Sequence, residues 1–229
     1  MTIETLLSML QFSDGLFPAG AYAHSFGLET YSQDGRVSNA ANVRQLLRAY
    51  LEGGAGPCDA VVVTNALRAA IASDLDACRE LDLMLDAIKT AAEPREASRQ
   101  LGRQTLRIAA TLIDHPVMSG LARAAGCGET PCHHAVVFGV IGGAYGWEPE
   151  AAAAAFLYAS AAAMAGAATR LIPLGQTQAQ RLISEATPLI TALARAAAER
   201  TTSEIFTFAP ALEIAAMRHA QLEARLFRS

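Results

Sequence analysis

Lysine is almost missing: 229 residues hold one, Lys89, against seventeen arginines. Lys89 lies in "LDAIKTAAEP" with no glycine loop before it, so a GxxxxGK[ST] phosphate cradle cannot be built and the chain is not a P-loop NTPase. The arginines are scattered and the net charge is -4, which argues against a nucleic-acid partner. Cysteine is scarce and irregularly spaced: Cys58, Cys78, Cys127 and Cys132 suit reduced thiols in a cytoplasmic protein better than a disulfide frame. "MTIETLLSMLQFSDG" has no basic n-region and no Ala-x-Ala site, so no signal peptide is expected. Alternation of period two is absent, which excludes a sheet protein and leaves an all-α class.

Hydrophobic residues make up 52% of the chain and charged ones 17%, enough apolar surface for a full core. No composition shift marks a boundary, so residues 1–229 read as a single compact helical bundle of about ten helices. Thr2 caps a first helix with Ile3, Leu6, Leu7 and Leu10 along one side. Asn39 or Asn42 opens another that Gly53-Gly54 ends, and "GPCDAVVVTNALRAAI" forms the next. Asp74, Asp76, Glu80, Asp82 and Asp86 read as one solvated acidic face. In the helix from Glu93 to His115, Arg95, Arg99, Arg103 and Arg107 form a four-residue ladder, either a solvated face or a surface met by something acidic. Gly139, Gly142 and Gly143 imply close packing. Pro173 follows the alanine helix, Pro188 is expected to break the long helix from Gln176 to Arg200, and the last helix runs into "EARLFRS".

"AAAAAFLYASAAAMAGAA", Ala151 to Ala168, is uncharged over a length that raises the question of a membrane span. Each alanine removes little apolar area from water, so a buried helix is the expectation, with Ala151, Ala155, Ala159, Ala163 and Ala167 as a smooth stripe for a neighbour.

Cys127, Cys132, His133 and His134 are the nearest approach to a metal constellation, but neighbouring histidines at a helix start diverge by about 100°. A core or capping role for His134 is expected, with no permanent metal site and no bound cofactor. No GxSxG elbow occurs, and His24 and Ser25 are neighbours that do not face each other on a helix. Without an acid/base pair either, no enzyme is expected.

Three separated stretches carry a likeness. "FPAGAYAHSFGLETY" holds Pro18, Gly20, Tyr22, His24, Ser25, Gly27 and Glu29. "RLIPLGQTQAQRL" holds Arg170, Pro173, Gly175 and Gln176, and the chain closes on "AMRHAQLEARLFRS". Together they resemble the UreF-type urease accessory proteins over the whole sequence. The resemblance implies an all-helical, non-catalytic homodimer that binds UreD (also called UreH) and recruits the GTPase UreG, the complex delivering nickel to apo-urease. It places Tyr22, Tyr158, Arg170 and Arg225 on the UreG side, and Arg218, His219, Leu226 and Phe227 of the tail on the UreD side. Ala154 stands where some relatives are basic, and Ala19 and Ala21 replace larger residues. Read from the residues alone, Arg170 also suits a helix C-cap and His24 a hydrogen-bonded structural role. The rival reading is a small-ligand-binding helical protein with Gly139 to Gly146 as a pocket floor. Deleting Arg225 to Ser229 is expected to leave the helices intact, since few core contacts depend on a terminus.

Overall fold

The computed structural model describes residues 1–20 and 24–228, and among these the regular structure is entirely helical. Helix α1 (Ile3–Ser13) starts where Thr2 Oγ1 accepts the Thr5 amide at 3.2 Å. Its apolar stripe is not its buried face: Ile3, Leu6, Leu7 and Leu10 are exposed, whereas Ser8, Met9 and Phe12 face inward. The rotation follows from Trp147, whose buried indole N–H donates to Ser8 Oγ at 2.9 Å and needs that partner. The short α2 (Leu28–Gln33) follows Gly27, whose φ of 81° lies in the left-handed region that favours glycine.

Helix α3 (Ala40–Tyr50), capped by Asn39, does not stop at Gly53-Gly54. It widens into a π-helical segment, Leu51–Ala60, and resumes as α4 (Val61–Ile71). Carbonyls of the widened turns are used from outside: Phe208 N donates to Gly53 O at 2.7 Å and Phe206 N to Pro57 O at 3.3 Å. Glycine and proline here loosen the helix without ending it, because tertiary partners take over the backbone bonds.

Asp74 caps α5 (Leu75–Ile88), and α6 runs over Ala92–Leu112. Pro116 then opens α7 (Pro116–Gly126), a helix the sequence reading passed over although proline at a first helical position is a start signal. Helix α8 (His134–Ala144) lies directly on α4. A Cβ on Gly139 would come within 2.4 Å of Val63 O, and one on Gly143 within 2.6 Å of Leu67 O, so the expected close packing is present and these glycines floor no pocket.

Helix α9 (Pro149–Leu171) crosses the middle of the fold against α10 (Gln176–Glu199), α4 and the π segment. Its length and composition pass for a membrane span, and half of its most apolar window is buried inside the chain. The buried side is Ala152, Ala153, Phe156, Leu157, Ala161, Met164, Ala165, Ala167 and Ala168; of the predicted alanine stripe Ala167 is buried and Ala151, Ala155, Ala159 and Ala163 are only partly covered. Pro188 leaves α10 unbroken because it sits on the exposed side, where water solvates the carbonyl it frees. A 3-10 turn at Thr202–Glu204 leads to α11 (Pro210–His219), which ends short of the "EARLFRS" stretch it was expected to run into.

Candidate functional site: a C-terminal strap over the opening motif

The first and third signatures meet around one carboxylate. Glu29, on α2, is buried, and its oxygens accept the amides of Leu226 at 2.6 Å and Phe227 at 3.1 Å. Its Oε2 also lies 2.9 Å from His219 Nε2, while His219 Nδ1 is 2.6 Å from Glu93 Oε2. Arg225 reaches the other oxygen of Glu93 at 3.0 Å, and Arg218 forks onto Asp34 with two bonds of 2.9 and 3.1 Å. Two further side chains hold α11: Thr30 Oγ1 donates to Ala215 O and Tyr31 Oη to Ala211 O, each at 2.9 Å. An acid buried this way is stable because charge-assisted bonds replace its water.

The tail is therefore a strap, not a free end. His219 and Phe227 are buried inside this chain, whereas Leu226, Arg218 and Arg225 keep exposed surface. The expectation that few core contacts depend on the terminus is overturned by Phe227, which joins Leu28, Tyr31, Leu174 and Ile183 in a buried apolar cluster.

The second signature closes the arrangement. The Arg170 guanidinium, in the last turn of α9, lies 4.4 Å from the centre of the Phe227 ring. It shares a pocket of about 420 Å³ with Ala19, Gly20, His24, Gln104 and Arg228. Gln104 Nε2 donates to Pro18 O at 3.1 Å, tying the opening motif to α6. His24 is buried, and its imidazole is held down at about 4 by loss of water and then by the nearby Arg228. Ser25 is buried as well, with its Oγ 3.4 Å from the Glu29 amide. Leu174 is buried between exposed Pro173 and Gly175, and the Gly175 amide, starting α10, is taken by Gln178 Oε1 at 3.1 Å; Gln176 is exposed in the first turn.

Tyr22 lies outside the described residues. Tyr158 is half exposed on α9, twelve residues before Arg170 and so roughly 18 Å along the helix, too far to share the pocket.

Cys127, Cys132, His133 and His134 do not converge. Cys127 is exposed and Cys132 buried; His133 bridges Ser98 and Asp86 at 3.0 Å each; His134 lies edge-on to Phe138 and tilted against Phe156. Among the described residues no group of three or more His, Cys, Asp or Glu is placed to hold a metal. The supposed solvated acidic face is also divided. Asp82 is fully buried and accepts Thr130 Oγ1 and the amides of Cys132 and His133, so it builds the loop before α8, and Asp86 pairs with Arg99 at 2.6 Å. Two steps of the arginine ladder thus meet acid inside the chain, Arg99 at Asp86 and Arg103 at 3.5 Å from Glu96, while Arg107 donates to Gln104 Oε1.

The fold and site define an all-α protein whose three signatures, far apart in sequence, are joined by a docked C-terminal strap. Its sequence matches the family model UreF over residues 37–187. It is 32% identical to the urease accessory protein UreF of Trichodesmium erythraeum, covering 98% of this chain and 97% of that protein, and 33% identical to that of Lachnoclostridium phytofermentans, covering 98% of each. The UreF of a Nostoc strain is 32% identical, over 100% of this chain and 98% of its own length. The chain belongs to the UreF family of urease accessory proteins.

Proposed function

We propose that this chain is a non-catalytic, cytoplasmic, homodimeric scaffold of nickel-dependent urease maturation, which binds UreD and recruits the GTPase UreG for nickel delivery to apo-urease. The observation that carries the reading is the meeting of all three signatures at the strap: Gly20 and His24 from the first, Arg170 from the second, Leu226 and Arg228 from the third. A helical protein that keeps exposed arginines around a pocket offers fixed donors to acidic or main-chain acceptors of another protein. Arg170, Arg225 and Tyr22 face UreG in this reading, with Tyr158 further along α9. Arg218 and Leu226 serve the UreD contact directly, and His219 and Phe227 serve it by holding the strap.

The test is complex formation in purified components, followed by light-scattering mass. Arg170→Met keeps a side chain over the Phe227 ring and removes the charge; it should lose UreG capture while UreD binding and the melting temperature stay near wild type. Capture of UreG at wild-type strength by both Arg170→Met and Arg225→Met would overturn the assignment. The same Arg170 variant decides whether this guanidinium also tunes GTP hydrolysis, since UreG turnover at saturating scaffold would then differ.

A further inference from the structure

A second site lies against α11 and shares no lining residue with the pocket at Arg170. Lys89, just past the end of α5, places its Nζ 2.8 Å from Asp59 Oδ1, and both side chains are largely buried. They sit in the wall of a cavity of about 130 Å³ lined by Phe26, Tyr50, Ala55, Ile88, Leu212 and Ala216. Asp59 and Cys58 are brought there by the π-helical segment, a distortion that concentrates at functional sites. On the rim, Thr90 Oγ1 donates to Glu213 Oε2 at 2.9 Å.

A buried ion pair among apolar walls is a poor source of stability, because desolvation offsets its attraction. Two features give this pair another use. The chain uses arginine at every other cationic position, and the compact three-donor ammonium appears only here. Among the described residues the only hydrogen-bonding partner of each member is the other, so two ammonium N–H groups and the second carboxylate oxygen retain capacity toward the cavity.

We infer that this cavity binds a small neutral molecule with a primary carboxamide head and a short hydrocarbon body. The carbonyl oxygen accepts from Lys89, the amide N–H donates to Asp59, and the hydrocarbon lies between Phe26, Tyr50 and Leu212. Neutrality follows from the depth at which the ligand head sits: the charges of Lys89 and Asp59 cancel there, and the Glu213 carboxylate lies at the rim, engaged by Thr90, so a charged head beside the pair would be left uncompensated among apolar walls. Size follows from volume: a cavity of about 150 Å³ accepts benzene, so this one takes about six non-hydrogen atoms.

Isobutyramide has that size and chemistry, and isobutyrate and isobutylamine share its shape while carrying a charge. Titrated into the full-length protein and followed by NMR, isobutyramide should shift the Tyr50, Ile88 and Leu212 signals saturably. The two charged analogues should bind at least about tenfold more weakly, the scale of one buried charge left unpaired. Ala216→Leu, which fills the cavity, should abolish the shifts; Lys89→Met with Asp59→Leu, an apolar replacement of the pair, should erase the preference for the amide. The absence of saturable shifts, equal binding of the three probes, or binding unchanged by Ala216→Leu would each overturn the proposal, and the three-probe comparison on the wild-type protein decides even if a variant fails to fold.

Discussion

Glu29 ties remote parts of the chain together, since two strap amides and one imidazole depend on its carboxylate. Glu29→Gln preserves shape but places an NH2 group where donors already point. Losing charge-assisted bonds of this kind costs about 3 kcal/mol. The expected result is a melting temperature roughly 6–12 °C lower, with faster exchange of the Leu226 and Phe227 amides. Unchanged amide protection would mean that the carboxylate does not hold the strap. Little of this was legible beforehand. Glu29 stood in a motif, but its partners lie 190 or more positions away, and nothing in a local pattern encodes such a distance.

At the scale of elements, two helical glycines with the same local signal behave oppositely. A Cβ on Gly102 in α6 would fall 1.9 Å from Cys132 O, a backbone atom that cannot move aside, whereas one on Gly166 in α9 would meet nothing within 4 Å. Gly102→Ala should therefore destabilise by about 3 kcal/mol or more through overpacking, and Gly166→Ala should stabilise by about 0.5–1 kcal/mol. Chemical denaturation of the pair checks both signs; a stabilised Gly102→Ala would contradict the α6–α8 approach. The strap is the other element with a definite expectation. Removing residues 225–229 strips Phe227 from its cluster, a loss of about 3–5 kcal/mol, so the truncated chain should keep its helical circular dichroism at room temperature and melt roughly 6–20 °C earlier. An unchanged melting temperature would show that the terminus carries no core contact.

For the whole molecule, histidines shielded from water set the response to acid. The rings of His134, beside Phe138 and Phe156, and of His24 are each held down at about 4, mainly by loss of water, against an ordinary 6.5. Burial lowers His133 too, opposed by its bond to Asp86. The unfolded chain takes up protons as the pH falls through 6.5, while the native chain resists until about 4. Stability is therefore full above that window and declines through it. Urea midpoints should drop between pH about 7 and about 5, and His134→Phe should make the decline shallower. An identical slope in that variant would remove His134 from the account.

The sequence by itself determined the helical class, the cap at Thr2 and the family, and narrowed the next helix start to Asn39 or Asn42, because caps, periodicity and the three signatures are local or linear properties. The tertiary structure alone decided which face of α1 is buried, that Gly53 and Gly54 widen a helix instead of ending it, that Asp82 is core, and that the last residues are strapped to Glu29. Each of these turns on a partner remote in the chain: a tryptophan needing an acceptor, carbonyls taken by residues 206–208, a loop needing an anion, and a carboxylate needing donors. Burial makes such pairing obligatory, and only the folded chain specifies who the partner is.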